Sequence, residues 1–140
     1  MRTGGSVLQW RMPARADSIP RLRHAAVEFF RTHCVDNDDV EHGIALAVNE
    51  ACANAVRHAY PKTPGEIHVE AHPPKDDVML LVVEDRGVGL DAPTPDPGTG
   101  LGMRLMDAFS EVRLHSSNLG TRVELRFHCR GRAANDRVAV

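Results

Sequence analysis

The sequence is poor in three features that would each mark a particular class of protein. No apolar run approaches the roughly 20 residues that a membrane-spanning helix needs, and residues 1–5 are not followed by the apolar stretch of a signal peptide. The three cysteines form no Cys-x-x-Cys pair, which argues against a zinc site and a disulfide framework. The net charge of −2 comes with scattered basic residues, which argues against nucleic-acid and membrane partners. These absences predict a cytoplasmic protein whose cysteines, Cys34, Cys52 and Cys129, pack as small apolar side chains.

The residues that are present fit one globular domain. Of the 140 residues, 42% are apolar and 26% are charged, a balance typical of a protein with a buried core. We assign the domain to residues 1–129 and expect a flexible tail at 130–140. Apolar periodicity predicts strands at 7–12, 67–71, 78–83, 112–116 and 121–127, and helices at 19–33, between the acidic run 36–39 and Pro61, and at 101–109. This order predicts an α/β (α+β) two-layer sandwich, in which a mostly antiparallel mixed sheet packs on three helices and any pocket lies between the layers.

Several local features of these elements are also predicted. Ser18 or Asp17 is expected to cap the first helix. The inner face of that helix is predicted to carry Leu22, Ala26, Phe29 and Phe30. The run 36–39 supplies a turn and a cap for the second helix. Residues 73–77 are expected to connect the second strand to the third, which is apolar enough to be central in its sheet.

The stretch LAVNEACANAVRHAY, residues 46–60, carries a polar stripe on an otherwise apolar predicted helix. Glu50, Asn54 and His58 recur at spacings of four, which stacks them on one face. Asn54 offers a neutral oxygen to a hard cation such as Mg²⁺, and Glu50 can hold a water or accept a proton from an attacking hydroxyl. A solvated helix face is the alternative. His58 is either at the edge of a pocket or structural, and Arg57 is either a surface charge or a partner contact.

Two glycine-containing segments follow the third predicted strand. In Asp85-Arg86-Gly87-Val88-Gly89 the acid lies at the end of a predicted buried strand. The glycines, which have no Cβ, let a flat ligand come close to the backbone, and Asp85 can then accept a hydrogen bond from an exocyclic amine of that ligand. A tight turn capped by Asp85 is the alternative. In Gly98-Thr99-Gly100-Leu101-Gly102 the backbone N–H groups at a predicted helix start make an anion site suited to phosphates, unless the segment is only a flexible connector.

Taken together, these motifs resemble those of a known family. Similarity to the N, G1, G2 and final boxes of the GHKL (Bergerat-fold) ATPases extends over roughly residues 18–128 and rests on Glu50-x-x-x-Asn54, Asp85-x-Gly87-x-Gly89, Gly98-x-Gly100-x-Gly102 and Gly120-Thr121. Residues 46–60 and the stretch GTGLGMRLMDAFSEV resemble the bacterial anti-sigma-factor serine kinases of the RsbW type. The resemblance implies a Bergerat ATP-binding fold that uses ATP and Mg²⁺. It also implies a homodimer that phosphorylates a serine of a STAS-type anti-anti-sigma antagonist and otherwise holds a sigma factor.

The resemblance further implies roles for single residues. Asp85 would bind the adenine amine, Asn54 would bind Mg²⁺, and Glu50 would be the catalytic base that activates the serine hydroxyl. Thr121 would support the side of the base, and Gly89 with its loop would enclose the nucleotide. The full set of nucleotide-binding candidates is Asn54, His58, Asp85, Gly87, Gly89, Gly98, Thr99, Gly100, Leu101, Gly102 and Thr121.

One departure from the family pattern leaves two classes of function open. Residues 90–99 contain neither Lys nor Arg, whereas kinases of this type often carry a cation there to meet the γ-phosphate. Arg86 and Arg104 are the alternative sources of that charge. The first class is a protein serine kinase. The second is a binding module in which ATP or ADP orders the lid and shapes a surface for protein partners.

Overall fold

A five-stranded sheet and two helices make up the computed structural model, which describes residues 7–59, 65–87, 111–117 and 120–132. The elements are β1 (Leu8–Pro13), α1 (Ile19–His33), α2 (Asp38–Asn54), β2 (Glu66–Lys75), β3 (Val78–Asp85), β4 (Glu111–Ser117) and β5 (Gly120–His128). The third helix predicted at 101–109 lies outside the described residues. No helix within the described ranges has the length and apolar character needed to cross a membrane.

The sheet has the strand order β1-β2-β3-β5-β4, and each neighbouring pair within the described residues is antiparallel. The predicted two-layer α+β architecture is therefore confirmed, with no parallel pairing in this part of the chain. β3 is the central strand, as its continuous apolar run indicates. Its alternate residues Met79, Leu81, Val83 and Asp85 are buried on the side of the helices. This alternation carries the carboxylate of Asp85 to the helix side at the very end of the strand.

The connection between β2 and β3 is tighter than predicted. Residues 73–77 were expected to join the strands, but β2 continues through Pro73 and Pro74 to Lys75. Only Asp76 and Asp77 form the turn, with φ angles of 53° and 61°, as a two-residue hairpin of the type I′ class requires. The prolines are tolerated because the pairing of β2 with β1 stops at Ala71 and its register with β3 is irregular between His72 and Lys75.

Helix α1 has the predicted bounds, but its start differs from the prediction. Neither Ser18 nor Asp17 caps it with a side chain, because a 3₁₀ turn over Ala16–Ser18 leads directly into the helix and leaves Ser18 buried in helical backbone geometry. The predicted inner face is confirmed, since all four of its residues are buried, namely Leu22, Ala26, Phe29 and Phe30. Trp10 of β1 meets the ring of Phe29 edge-on at a centroid distance of 6.4 Å. This contact joins the edge strand to the core.

Helix α2 begins as predicted and ends differently. Asn37 is its cap, and the side-chain oxygen accepts a hydrogen bond from the Val40 N–H at 3.1 Å. The helix keeps regular α geometry only to Asn54, and a π-helical turn follows over Ala55–Ala59. Such turns insert one extra residue into a helix and are frequent at functional sites. Residues 60–64, which include Pro61, lie outside the described residues.

The segment after β5 is attached to the end of α1. Cys34 and Gly131 form an antiparallel bridge, and the Val35 N–H donates to the Arg130 carbonyl at 2.8 Å. The Arg132 N–H donates to the His33 carbonyl at 2.8 Å. The first three residues of the predicted tail, 130–132, therefore pair with the end of α1, and the flexibility of the tail stays a prediction. Residues 133–140 lie outside the described residues.

Candidate functional site

The carboxylate of Asp85 is held at the meeting point of β3 and β5. Antiparallel register places Asp85 opposite Thr121, and both residues are buried. One carboxylate oxygen, Oδ1, accepts hydrogen bonds from the Gly87 N–H at 2.9 Å and from the Thr121 N–H at 3.3 Å. The bond to Gly87 is also the turn cap that was the alternative interpretation of this segment. The turn and the site therefore use the same carboxylate.

This carboxylate lies in an environment that disfavours its charge. Burial raises the pKa of Asp85, the two backbone N–H groups oppose that shift, and the neighbouring Glu84 charge adds to it. Within the described part of the chain, Oδ2 accepts no hydrogen bond. A ligand that donates a hydrogen to Oδ2 would relieve the cost of burying the charge. The geometry therefore suits recognition of an amine or amide N–H donor.

Gly120 lets the start of β5 pass close to the end of β3. Its φ is 137°, a backbone conformation that residues with a Cβ rarely adopt. A Cβ at this position would lie 2.1 Å from the carbonyl oxygen of Asp85 and 2.8 Å from the Cα of Arg86. The glycine thereby allows the approach through which Thr121 reaches the Asp85 carboxylate.

Asn54 is a buried amide at the last residue of α2. Its Oδ1 accepts a hydrogen bond from Nη2 of Arg57 at 2.8 Å, and Arg57 itself is exposed. The sequence interpretation treats Arg57 as a surface charge or a partner contact and misses this bond. The spacing of three residues was a signal that could have indicated it. The oxygen predicted to be a metal ligand thus has a cationic neighbour in this structure.

Glu50 lies one helical turn before Asn54 and is partly exposed. The regular α geometry between the two residues keeps both on one face, as predicted. His58 falls within the π-helical turn, where the backbone no longer follows the α-helical phase. The predicted stripe of three polar residues therefore holds for Glu50 and Asn54, and the position of the His58 side chain lies outside what the structure describes.

A comparison with protein families decides the class of domain. The model of the family described as "Histidine kinase-like ATPase domain" matches residues 12–127. The chain belongs to this family. Membership in a family of ATPase domains implies that the chain uses ATP.

Curated relatives of this histidine kinase-like ATPase domain include proteins named "Serine-protein kinase RsbW". The protein from Bacillus cereus (strain AH187) is 30% identical over 84 residues, which are 60% of this chain and 51% of the relative. The protein from Staphylococcus epidermidis is 31% identical over 93 residues, covering 65% of this chain and 57% of the relative. The chain therefore spans about half the length of the curated relatives that it matches.

Solved structures show the same fold. The RsbU and RsbW domains of Rv1364c from Mycobacterium tuberculosis match with a TM-score of 0.70 and 23% identity, covering 97% of this chain and 35% of that one. The histidine kinase domain from the Erythrobacter litoralis EL346 blue-light activated histidine kinase matches with a TM-score of 0.59 and 19% identity, covering 84% of this chain and 61% of that one. At these identities the likeness establishes the fold alone.

The ATPase domain brings some of the predicted site residues together. Asp85, Gly87 and Thr121 are joined by hydrogen bonds at the ends of β3 and β5. The π-helical turn that follows Asn54 packs against the same two strands. The remaining glycine-box candidates lie outside the described residues, namely Gly89, Gly98, Thr99, Gly100, Leu101 and Gly102.

A cavity of about 310 Å³ beside Asp85 was not predicted. It is lined by Arg11, His68 and Glu84, which lie on the face of the sheet turned away from the helices, together with residues at the adjoining strand ends. Nε2 of His68 is buried and has no hydrogen-bond partner within the described residues. The residues that line this cavity are spread over three strands, so no short motif in the sequence indicates it.

Proposed function

We propose that this chain is an ATP-dependent protein serine kinase of the RsbW type. In this proposal it phosphorylates a serine of a STAS-type anti-anti-sigma antagonist, and it binds and inhibits a sigma factor when that antagonist is absent or already phosphorylated. The observation that carries the proposal is the buried carboxylate of Asp85, whose Oδ2 remains available to a donor within the described site. The relatives named as serine-protein kinases support the choice of reaction.

The adenine ring is the ligand that Asp85 suits. Its exocyclic amine donates to Oδ2, while the N–H groups of Gly87 and Thr121 keep Oδ1 in place. A buried acceptor left without a donor is costly, so the site discriminates against ligands that lack an amine. Gly89 and the segment Gly98–Gly102 are proposed to enclose the nucleotide and contact its phosphates, and His58 is proposed to lie at the pocket edge.

Asn54 is the residue proposed to hold Mg²⁺. Within the described residues no group of three or more His, Cys, Asp or Glu side chains is arranged to bind a metal. Mg²⁺ fits a single neutral protein oxygen because it keeps several waters and takes phosphate oxygens as ligands. The fit has one condition, since Nη2 of Arg57 lies 2.8 Å from Oδ1 of Asn54 and its positive charge opposes a cation at that oxygen. When bound, the metal neutralises charge on the transferred phosphoryl group.

Glu50 is proposed as the base that receives the serine proton. Its partial exposure leaves it open to a protein substrate, and its place one turn before Asn54 puts it on the face that would hold the nucleotide. In the transfer, the serine oxygen forms a bond to the γ-phosphorus, the bond from that phosphorus to ADP breaks, and the serine proton moves to the carboxylate.

Isothermal titration of ATP with and without Mg²⁺ is the first experiment. Wild-type protein should bind ATP, and Mg²⁺ should strengthen binding. Asp85→Asn should weaken it by about 10- to 100-fold, because a mixed donor and acceptor replaces the pure acceptor. Glu50→Gln should bind ATP nearly as the wild type does, since the carboxylate acts on the incoming hydroxyl. Unchanged affinity in Asp85→Asn would rule out the pocket.

Transfer is then measured with labelled ATP and the STAS-type antagonists of the same genome. Glu50→Gln should reduce the rate by about 100-fold or more, the contribution typical of a general base. Glu41→Gln is the matched control, because Glu41 lies on the same helix and pairs with Arg31 at 2.7 Å outside the site. A Glu50→Gln protein that transfers phosphate at the wild-type rate would remove Glu50 from the mechanism. Sedimentation of the same samples tests the proposed homodimer.

A binding module without phosphoryl transfer is the second candidate. Two observations favour it. Residues 90–99 contain neither Lys nor Arg, and the guanidinium of Arg57 donates a hydrogen bond to the Asn54 oxygen that would bind Mg²⁺. This candidate predicts that ATP or ADP binds, that a sigma factor is held only in the presence of nucleotide, and that no antagonist is phosphorylated. The titration and transfer experiments therefore separate the two functions.

A further inference from the structure

Two cysteines that are remote in the sequence meet in the core. Sγ of Cys34 and Sγ of Cys129 are 2.9 Å apart, although 95 positions separate the residues along the chain. Both are free thiols, with Cys34 fully buried and Cys129 6% exposed. All three cysteines are buried in the core, as the expectation of small apolar side chains requires, and the sulfurs of Cys34 and Cys129 also hydrogen-bond to each other.

The backbone holds both thiols in place from two sides. Cys34 ends α1, and its N–H donates to the Phe30 carbonyl at 2.8 Å. Cys129 follows β5, and its N–H donates to the Asp77 carbonyl at 3.0 Å. The bridge between Cys34 and Gly131 fixes the two segments against each other. Backbone hydrogen bonds at both cysteines, together with this bridge, therefore keep the two sulfurs facing each other.

We propose that Cys34 and Cys129 form a dithiol site that hydrogen peroxide oxidises to an intramolecular disulfide, which thiol reductants reverse. The sulfurs need to approach by less than about 1 Å to reach the S–S bond length of about 2.05 Å. Cys52 offers a contrast, since it is also buried but lies in the middle of α2, outside this pair. Cys129 follows the last residue of β5, whereas Thr121 of the proposed ATP site lies near its first, so the two sites are separate.

The two thiols have different parts in the oxidation. The hydrogen bond with Cys34 lowers the pKa of Cys129 and raises that of Cys34. Burial raises the pKa of Cys34 further and, at Cys129, opposes the lowering without reversing it. Cys129 is also the more exposed of the two, so it is the thiolate that attacks peroxide. An S–O bond forms as the O–O bond breaks, which gives a sulfenic acid and releases hydroxide, protonated to water by the Cys34 thiol. The Cys34 thiolate then attacks the sulfur of Cys129 and the S–O bond breaks. The second oxygen leaves as hydroxide and becomes water by taking up from solvent the proton that Cys129 released when it ionised.

Oxidation ties the end of α1 to the end of β5. A disulfide between positions this far apart removes much of the conformational freedom of the unfolded chain. The thermal midpoint of the oxidised protein should rise on the order of 10 °C and return after reduction. A midpoint that falls on oxidation would show that the bond distorts the native packing, which would overturn the claim that the fold is built to accept it.

The direct test treats the full chain with hydrogen peroxide, stops the reaction with catalase and counts thiols after denaturation. Wild-type protein should pass from three thiols to one, and its intact mass should decrease by two hydrogen atoms. Peptide mapping without reductant should recover Cys34 linked to Cys129. The control Cys52→Ala should show the same mass change and retain no thiol.

Two variants separate the partners. Cys34→Ala should gain oxygen on Cys129 and lose no hydrogen pair, because the thiol that resolves the sulfenic acid is missing. Cys129→Ala should do neither. Three thiols that survive treatment of the wild type, oxygen retained on its Cys129, a linkage through Cys52 or a linkage between two molecules would each overturn the proposal.

Discussion

Replacement of Gly120 by alanine is expected to destabilise the domain by about 2–6 kcal/mol. A φ of 137° places the residue where an L side chain costs about 1–3 kcal/mol. The new Cβ would lie 2.1 Å from the Asp85 carbonyl oxygen and 2.8 Å from the Arg86 Cα. Both are backbone atoms that cannot rotate away, so relief of the overlap requires the strand ends to separate, at a further cost of about 1–3 kcal/mol.

Urea unfolding followed by far-UV circular dichroism measures this loss. A domain of this size has a free energy of unfolding of about 5–15 kcal/mol, so the substitution removes a large fraction of it. The urea midpoint should fall while the slope of the transition stays the same, because the surface exposed on unfolding does not change. The thermal midpoint should fall by roughly 5–20 °C.

Gly131→Ala is the matched control for this substitution. A Cβ at Gly131 would meet only the Pro74 side chain, at 3.5 Å and 3.9 Å, which is ordinary contact. Its free energy of unfolding should stay within about 0.5 kcal/mol of the wild type. Equal stability of the Gly120→Ala and Gly131→Ala proteins would refute the reasoning from backbone overlap.

Three further substitutions test separate contacts. Asn37→Ala removes the acceptor of the Val40 N–H, and urea unfolding should show a loss of about 1 kcal/mol; an unchanged midpoint would contradict the assigned cap. Asp85→Asn removes a carboxylate whose pKa is raised by burial, so the wild type loses stability relative to the variant as the pH rises through the folded-state pKa. Thermal midpoints between about pH 3 and pH 7 should show the variant gaining on the wild type, and a difference independent of pH would disprove the buried-charge argument. Arg57→Ala removes the hydrogen bond to Oδ1 of Asn54 and should lower the Mg²⁺ concentration for half-maximal ATP binding by about 2- to 10-fold. If the variant instead needs more Mg²⁺ than the wild type, the guanidinium orients the amide for the metal.

Patterns that extend over a whole element predicted the fold well. β3 could be placed at the centre of the sheet because its residues are apolar on both faces. The inner face of α1 could be read from helical spacing, because burial follows that period directly. Pro73 and Pro74 were wrongly assigned to a connection between strands. They fit within β2 because the pairing of β1 with β2 ends before them, and the local sequence does not show where that pairing ends.

Contacts between distant residues were the part that the sequence could not supply. The motif around Asp85 and the motif at Gly120-Thr121 were each visible, but their hydrogen bond depends on the register of β3 against β5, 36 positions apart. The Cys34–Cys129 contact depends in the same way on chain pairing at the end of α1. Spacing within one element can be read from the sequence, whereas register between elements requires the packed structure.

Within the described residues, the Asp85 carboxylate is positioned by main-chain groups alone, since both of its hydrogen-bond donors are backbone N–H groups. Side chains at positions 87 and 121 can therefore diverge during evolution without removing either bond, and proline is the one replacement that deletes the donor itself. The acid has no such freedom, because no backbone group substitutes for its second oxygen. Relatives that share this arrangement should thus resemble one another most at a single acidic residue and at the glycine that lets the strands approach.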